Sequence, residues 1–349
     1  DFELLSRHYE VHNLEPPKSK EEWPGYIRKV KELMNKSETS LGWFAGWHTL
    51  PMVHYAKKYR KPSIVVVGGY DAVSFPEIRY GAFSNLKERI PARYVLKNAD
   101  LILPVSHYLM KEIIKNAKIS LEKIILIHLG VDPHFWRPDG EKENMVLTVA
   151  TARDMRRIKI KGLDTFVKAA KYVPGAKFVL IGIEGDARKY LESIAAQNVE
   201  IKGYIPNREL LPYYQRAKVY AQLSISEAFG VALAEAMLSG CIPVATKRGG
   251  IPEVIGDTGF YVPYGNAEAT AKVIREALQA PKELGLKARK RIANLYPIER
   301  RENDLVRGIS IAQMFKYSRY ITKRISRRKY GDIDIKKDSQ GGLEITISV

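Results

Sequence analysis

Cysteine and long apolar runs are what this sequence lacks most clearly. Cys241 is its single cysteine, which excludes an internal disulfide and a cysteine-based zinc cluster and indicates a reducing, cytoplasmic compartment. Nowhere do about 18 uncharged apolar residues follow one another, and no charged segment followed by an apolar one opens the chain. We therefore expect neither a membrane-spanning protein nor a secretory precursor.

An initiating methionine is also absent, because the chain opens at Asp1. Residues 2–8 have the pattern of a helix end, and residues 10–14 that of a short strand. If the domain is α/β, we expect its first strand and the loop after it to be missing from the sequence, and we treat the N-terminus as incomplete.

Acidic residues are in short supply, since 39 Asp and Glu stand against 57 Lys and Arg and leave a formal net charge of +18. Such a balance requires an anionic partner. Nucleic acid, anionic lipid and a phosphorylated substrate all meet that requirement, and composition does not choose among them.

Several short runs rich in β-branched residues are each followed by a longer stretch with helical spacing. The runs are residues 63–67, 101–105, 124–128, 145–150, 177–181, 219–223 and 242–245. Strands that are apolar on both faces and alternate with helices predict parallel, doubly wound sheets. The length of the chain fits two such α/β domains.

A boundary between the domains is predicted within residues 133–144, where Pro138, Asp139 and Gly140 interrupt the pattern. We therefore expect a first domain at 1–141, a second at 142–298, and a final segment at 299–349 that packs back toward the first domain and ends in a basic tail. The facing carboxyl ends of the two sheets would form a deep cleft.

The final segment carries seven Lys or Arg and no acid between residues 312 and 330. Four apolar or aromatic residues are interleaved with them: Tyr317, Tyr320, Ile321 and Ile325. A basic amphipathic helix of this kind indicates a membrane-surface segment about as readily as a nucleic-acid patch. A merely solvated helix is the third interpretation.

An acid inside an apolar helix is the first candidate for a binding residue. From residue 231 to 238 every side chain except that of Glu235 is apolar, so the helix is expected to be buried nearly all round. A buried carboxylate needs partners or a raised pKa. Vicinal ribose hydroxyls would satisfy it, and so would an arginine elsewhere in the chain.

A second acid, Glu227, comes just before this helix, beside Phe229 and Gly230. Gly230 allows the backbone close to a ligand, and the first N–H groups of the helix, from Val231 onward, present the positive end of its dipole. A diphosphate fits there. The plainer interpretation is that Glu227 is a surface acid.

The surrounding run SEAFGVALAEAMLSGCIPVATKRGGIPE, residues 226–253, closely resembles the donor-site signature of retaining GT-B glycosyltransferases, often called family 4 or glycosyl transferases group 1. The resemblance implies that Glu227 is the catalytic, sugar-facing carboxylate and that Glu235 holds the ribose. It also implies that the backbone at Phe229, Gly230 and Val231 binds the donor diphosphate.

Two basic residues upstream are similar to the pair with which this family holds the diphosphate. Arg153 ends the stretch VATAR, and Lys161 begins the stretch KGLD. The gap between them is longer than usual in the family and contains Arg156, Arg157 and Lys159, so which cation reaches the phosphate stays open. A solvated basic loop is the alternative.

The likeness covers roughly residues 40–300, and it assigns Tyr204, after Gly203, to the base pocket. It departs from the family on the acceptor side. Gly68 and Gly69 follow the strand 63–67 where family members commonly have a histidine, and His48 is the candidate that could substitute in part. A packed histidine is the alternative there.

The resemblance implies transfer with retention of a hexose-type sugar from a UDP- or GDP-sugar to a hydroxyl acceptor, either a glycan or a lipid-linked molecule. We expect no cofactor and no metal, because no Asp-x-Asp element stands near the donor segment. The basic C-terminal segment predicts a peripheral protein at the cytoplasmic face of an anionic membrane.

Two other functions remain as alternatives. A nucleotide-sugar epimerase or hydrolase would keep the GT-B fold and change the reaction. A nucleic-acid-binding protein would explain the charge, but no RNP-like, zinc-finger or helix-turn-helix element accompanies it, so we do not expect nucleic acid as a partner.

Overall fold

Two parallel β-sheets with helices packed on them make up the protein. The computed structural model describes residues 1–325, 333–337 and 343–347, with side chains described through Lys316. The strands are β1 Ser40–Trp43, β2 Ser63–Val67, β3 Leu101–Pro104, β4 Glu143–Ala152, β5 Lys177–Ile183, β6 Val199–Lys202, β7 Ala217–Gln222, β8 Ile242–Thr246, β9 Phe260–Val262, β10 Ile333–Lys337 and β11 Leu343–Ile347, the last two forming an antiparallel pair.

Helices follow most strands, as the alternation in the sequence predicts. They are α1 Phe2–Leu5, α2 Trp23–Lys36, α3 Thr49–Tyr59, α4 Leu86–Asn98, α5 His107–Ala117, α6 Met155–Lys161, α7 Leu163–Ala170, α8 Gly185–Ser193, α9 Leu211–Arg216, α10 Val231–Leu238, α11 Ile251–Ile255, α12 Ala267–Gln279, α13 Lys282–Leu295 and α14 Ile298–Ile325.

The first sheet has the order β1-β2-β3, and all five residues of β2 are buried between layers of helices. The segment 124–128, predicted as a strand, runs beside β3 without forming a regular strand: Ile125 N–H donates to Ile102 O and Ile127 N–H to Pro104 O, over 3.0 and 3.1 Å. The strand predicted at residues 10–14 is wrong, because that stretch is largely exposed and pairs with neither sheet.

The second sheet has the order β6-β5-β4-β7-β8-β9, all parallel. Strand order therefore reverses between β4 and β7, and in a doubly wound sheet ligands bind beyond the carboxyl ends of the strands at that point. The segments that follow β4 and β7 carry Arg153, Lys161 and Glu227. These two parallel sheets with their helices confirm the predicted α/β class.

The chain passes between the two domains at two adjacent places. Val131 N–H donates to Tyr296 O over 2.9 Å, and Val131 also forms a parallel bridge with Pro297. After the first passage, the segment leading to β4 packs on the second domain, where Arg289 donates to the backbone oxygens of Pro133 and Trp136. These bonds tie the segment before β4 to the second domain, and the boundary at residue 142 stays a prediction.

The long helix α14 returns to the first domain. Arg301 donates to both carboxylate oxygens of Asp1 at 2.7 Å, and Lys316 Nζ lies 2.9 Å from Oδ2 of Asp100. The aromatic and apolar side chains predicted to alternate with cations after residue 316 lie outside the described side chains. Within the described part of the chain, no helix combines the length and apolarity that crossing a bilayer requires.

Candidate active site

A small cavity of about 50 Å³ lies between the two domains. The first domain lines it with Gly68, Gly69, Val73, Tyr80, Tyr108 and Leu109, and the second with Lys161, Ser226, Glu227 and Ala228. A volume of this size holds only a few water molecules.

Glu227 is held on this cavity by three donors that all reach Oε2. Lys161 Nζ lies at 2.7 Å, Ser224 Oγ at 3.2 Å and Gln222 Nε2 at 3.3 Å. The side chains of Glu227 and Lys161 are only 18% and 20% exposed. The structure thus brings together the predicted sugar-facing carboxylate and one of the two predicted phosphate-binding cations.

Lys161 reaches this place because the longer gap after Arg153 folds into a helix. Asp154 caps α6 by accepting the N–H of Arg157 over 2.8 Å, and Lys161 is the last residue of that helix. Gly162 then turns the chain with φ +65°, and a Cβ there would stand 2.1 Å from Leu223 O. Close approach to the end of β7 sets Lys161 beside Glu227.

Arg153 lies at the same edge of the sheet but points elsewhere. Its guanidinium pairs with Glu184, 2.8 Å away, and its side chain is 75% exposed. Arg156, Arg157 and Lys159 all lie in α6. Of the cations in this stretch, Lys161 is the one that lines the cavity.

Two glycines, Gly249 and Gly250, pack directly against the backbone of Glu227. Gly250 N–H donates to Glu227 O over 2.8 Å. A Cβ on Gly249, where φ is +59°, would lie 2.3 Å from Glu227 O, and one on Gly250 would lie 2.1 Å from Ala228 O. Only glycine permits this contact, so the loop before α11 fixes the position of the Glu227 backbone.

The first N–H groups of α10 have no intrahelical partner, as in any helix, and the N-cap residue Gly230, with φ +94°, has no side chain to cap them. Val231 is exposed at that end. The ring of Phe229 is buried and packs edge-on against Tyr296 at 5.0 Å, so only the backbone of Phe229 can face a ligand. A helix N-terminus of this kind attracts anions, and the diphosphate site at this place stays a prediction.

Glu235 lies inside α10 and is 4% exposed. Asn207 Nδ2 donates to Oε1 over 2.9 Å, and the Tyr214 hydroxyl donates to Oε2 over 3.1 Å. Both partners are uncharged, in place of the arginine that the alternative interpretation required. Burial raises the pKa of Glu235 to about 7, against the effect of these two hydrogen bonds.

Tyr204 follows β6, beyond Gly203, whose oxygen accepts the N–H of Gly182 over 3.1 Å. Its side chain is 67% exposed. The ring therefore lies at the edge of the second sheet with most of its surface available to a planar ligand, and the described contacts do not bring it to Glu227.

On the acceptor side, Gly68 and Gly69 line the cavity, and a Cβ on Gly68 would stand 2.4 Å from the ring of Phe44. His48 does not line it. Its Nε2 lies 2.8 Å from Trp43 O, and its own backbone oxygen accepts the hydroxyl of Tyr26. These bonds give His48 a structural role at the start of α3.

Asp71 was not singled out from the sequence as a candidate, and the structure shows it buried next to Gly68 and Gly69. It accepts the N–H of Ala45 through Oδ2 and that of Gly69 through Oδ1, both over 2.9 Å. Burial raises the pKa of Asp71 to about 6 despite these bonds. Its side chain joins the loops that follow β1 and β2.

Two tyrosines on the cavity were also missed. The Tyr108 hydroxyl lies 3.3 Å from Ser226 Oγ, across the contact between the domains, and Tyr80 lines the same wall. Burial raises the pKa of both phenols, so both remain hydrogen-bond donors at neutral pH. The position of Tyr108 just after β3, at the carboxyl end of a strand, was the available signal.

Glu253 is the remaining residue that sequence reasoning did not assign. Its Oε1 accepts the N–H of Tyr108 over 2.8 Å and its Oε2 that of His107 over 2.9 Å, so a carboxylate of the second domain caps α5 of the first. Burial alone would raise the pKa of Glu253, but hydrogen bonds from His128 and from these N–H groups bring it to about 2.

Similarity to known proteins agrees with this geometry. Residues 136–294 match the family model described as glycosyl transferases group 1. A sulfoquinovosyl transferase of Arabidopsis thaliana is 26% identical over 200 residues, which are 53% of this chain and 39% of that protein. The MMP alpha-(1→4)-mannosyltransferase of Mycolicibacterium hassiacum is 26% identical over 218 residues, 59% of this chain and 51% of that protein. The chain thus matches about half the length of these relatives or less.

Solved structures extend the likeness to both domains. HepE of Anabaena, in complex with UDP-glucose, superposes with a TM-score of 0.71 at 19% identity and covers 88% of each chain. Sucrose-phosphate synthase of Thermosynechococcus elongatus gives a TM-score of 0.71 at 20% identity over 86% of this chain and 80% of that one. Residues 136–294 are therefore similar to glycosyl transferases group 1, and the chain has the predicted GT-B fold.

Proposed function

We propose that the protein is a retaining glycosyltransferase that moves a hexose-type sugar from a nucleotide-diphosphate sugar to a hydroxyl acceptor. One observation carries the proposal. Glu227, Lys161 and the free N–H groups of α10 meet at the point where the strand order of the second sheet reverses. Glu235 lies in α10 as well, about one turn after its first residue, Val231.

In this proposal the second domain holds the donor. Glu235 accepts the ribose hydroxyls, the exposed ring of Tyr204 stacks on the base, and the diphosphate lies on the N-terminus of α10 with Lys161 and Arg153 as candidate cations. Cleavage of the glycosidic bond builds negative charge on the leaving phosphate. A preorganised donor aimed at that charge typically contributes about 3 kcal/mol, so no metal is required.

Glu227 faces the sugar. Its carboxylate accepts hydrogen bonds from ring hydroxyls, orients the anomeric carbon and supports an oxocarbenium-like transition state. The acceptor hydroxyl approaches from the first domain, past Gly68 and Gly69, and attacks the face from which the phosphate departs. Tyr80 and Tyr108 are placed to donate hydrogen bonds to the acceptor or to the sugar.

A panel of nucleotide-sugars tests the donor class by thermal shift. A ligand at about 100 times its Kd stabilises the folded chain by about 2.7 kcal/mol. The panel includes UDP-glucose, because HepE binds it in a structure of the same fold, and GDP- and ADP-sugars. Stabilisation by no member would contradict the proposal.

Product analysis separates transfer from the alternative reactions. Mass spectrometry of a donor incubated without acceptor should show the donor intact. Loss of the donor mass under that condition would instead indicate a hydrolase. An epimer has the same mass as the donor, so NMR of the recovered nucleotide-sugar detects an epimerase, and NMR of the transferred anomeric centre reports retention.

A lipid-linked acceptor and a peripheral position at the cytoplasmic face of a membrane belong to the same proposal. One relative, 24% identical, is a phosphatidylinositol N-acetylglucosaminyltransferase subunit of Arabidopsis thaliana, and the net charge of +18 favours an anionic surface. Cosedimentation with anionic liposomes tests this. Binding that survives deletion of residues 312–349 would count against a role for the basic segment.

A further inference from the structure

Two histidines and a glutamate meet where the domains touch, at the end of the donor segment and outside the cavity. Nδ1 of His107 lies 3.1 Å from Oε2 of Glu253, and Nε2 of His128 lies 3.4 Å from the same oxygen. One ligand atom of each residue lies within 4.8 Å of the other two. His107 begins α5, His128 is the last residue of the segment 124–128 beside β3, and Glu253 belongs to α11 of the second domain.

Two of the three separations fit a tetrahedral metal ion, and the third, between the two imidazole nitrogens, lies within 4.8 Å and would shorten on binding. With bonds of about 2.0–2.1 Å from zinc to imidazole nitrogen or carboxylate oxygen, tetrahedral ligand atoms stand roughly 3.3 Å apart. Both measured edges at Glu253 lie close to that value. Two imidazoles and one carboxylate leave a fourth position open, and this donor set favours zinc and its neighbours over Mg²⁺ and Ca²⁺, which prefer oxygen ligands.

We propose that His107, His128 and Glu253 form a binding site for a divalent first-row transition metal, represented by Zn²⁺, which links the two domains. The site is distinct from the donor diphosphate site, where the proposed reaction requires no metal. It uses residues to which neither the sequence resemblance nor the proposed reaction gives a role.

The surroundings hold the main chain of two of the ligands. Arg301 donates to His128 O and Arg291 to Glu253 O, each over 2.8 Å, so both guanidinium groups engage backbone oxygens. The ring of Tyr296 packs edge-on against His128 at 5.1 Å and forms an aromatic wall. His107, with its side chain 57% exposed, provides the path from solvent.

Metal binding preserves the contacts that cap α5. Oε1 and Oε2 of Glu253 accept the backbone N–H groups of Tyr108 and His107, and these bonds do not involve the imidazoles. The metal replaces only the two hydrogen bonds between ring nitrogens and carboxylate. Nδ1 of His107 and Nε2 of His128 then carry lone pairs, and a proton remains on the opposite nitrogen of each ring.

The site connects to the donor segment through two short contacts. Phe229 packs on Tyr296 at 5.0 Å, and the loop that leads into α11 bonds Glu227 O through Gly250 N–H. A bound metal would therefore hold the domains in contact and the loop under Glu227 in place. In an enzyme that opens to exchange its ligands, occupancy slows turnover, a consequence that rests on the proposed function.

The test is a Zn²⁺ titration of the full chain by calorimetry, after removal of any histidine tag. We expect one saturable site in the wild type. His107→Gln and His128→Gln should each weaken it by roughly 10- to 100-fold or more, since even the loss of an outer-shell partner costs that much. His54→Gln is the matched control, because His54 lies in α3 and contacts Tyr94 instead.

Co²⁺ gives a second readout, since a four-coordinate site produces a visible absorption band that should appear in the wild type and be lost in His107→Gln. The absence of a saturable site, or equal affinity in wild type and His107→Gln, would overturn the proposal. Because His107 is largely exposed, its variant should keep the wild-type circular dichroism. Inhibition of transfer by Zn²⁺ is measured separately from binding. If the chain does not transfer a sugar, the titration still decides whether the site binds metal.

Discussion

Nζ of Lys161 lies 2.7 Å from Oε2 of Glu227, and less than a quarter of either side chain is exposed. The residue proposed to hold the diphosphate and the residue proposed to face the sugar are thus one ion pair. Breaking a largely buried pair from one side leaves an uncompensated charge, which is costly. A donor whose phosphate engages Lys161 would release the carboxylate toward the sugar hydroxyls.

Glu227→Gln should lower kcat by roughly 100-fold or more, on the scale observed when one preorganised electrostatic group is removed. Donor affinity should change only a few-fold, because the diphosphate and ribose contacts remain. Steady-state kinetics and an equilibrium Kd separate the two effects. Glu192→Gln, in an exposed pair with Arg188, is the matched control. An unchanged kcat would show that Glu227 has no part in the reaction.

Lys161→Met should weaken binding of the nucleoside diphosphate by roughly 10- to 100-fold, equivalent to the 1.5–3 kcal/mol of a hydrogen bond to a charged group. Arg153→Met should weaken it less, because the Arg153 side chain is exposed and paired with Glu184. Calorimetry with the nucleoside diphosphate measures both, and Lys168→Met serves as a control. A larger loss in Arg153→Met would reverse the assignment of the two cations.

The raised pKa of Glu235 predicts a pH dependence of stability. Between its ordinary value of 4.5 and about 7 the folded chain keeps a proton that the unfolded chain has lost. Glu235 therefore lowers the free energy of unfolding as pH rises through that window, by at most about 3 kcal/mol, and its contribution is constant above it.

Glu235→Gln should remove this dependence and be more stable than the wild type at pH 8. Urea unfolding at pH 5 and pH 8 tests the prediction, and the difference between the two proteins isolates this one group. An equal pH dependence in both proteins would mean that Glu235 keeps its ordinary pKa.

Donor binding should release a proton near pH 7 through the same residue. Ribose hydroxyls donate to the ionised carboxylate and so favour it over the protonated form. The binding enthalpy measured in two buffers of different ionisation enthalpy reports the released proton. Glu235→Gln should abolish that release and weaken the donor by about 10-fold, whereas identical release in the variant would assign the proton to another group.

Gly249→Ala should destabilise the protein by about 1–3 kcal/mol, because φ is positive at this position and the new Cβ would meet Glu227 O. The displaced loop should lower kcat more than it changes donor Kd. Gly175→Ala, where a Cβ meets open space, is the control. Thermal unfolding and kinetics on both variants check the prediction, and equal behaviour would contradict it.

The second domain was the part most open to prediction from sequence. Its central strands are short apolar runs buried on both faces, as β8 shows with all five residues buried. The acid within α10 also followed from sequence, since one Glu among apolar neighbours indicates a buried carboxylate. Its partners Asn207 and Tyr214 did not follow, because they lie 28 and 21 residues away and meet Glu235 only after folding.

The acceptor side was harder to predict because its residues work through tertiary contacts. Asp71 is a single acid in a loop, and only the fold shows that it holds two backbone N–H groups. Glu253 ends the quoted donor signature, yet its contacts with His107 and Tyr108 join segments about 145 residues apart. His48 had the residue type expected of an acceptor-activating group, but its Nε2 bonds a backbone oxygen.

The paired passages of the chain between the domains have a mechanical consequence. Val131 and Tyr296 bond each other at that place, and a Cβ on Gly130 would lie 2.7 Å from the Cα of Ile298. Two short segments bonded side by side resist stretching and sliding, but they bend readily about their common line. The two domains should therefore rotate relative to each other about a single hinge axis. One distance, measured between labels on α4 and α12, would then report the whole motion.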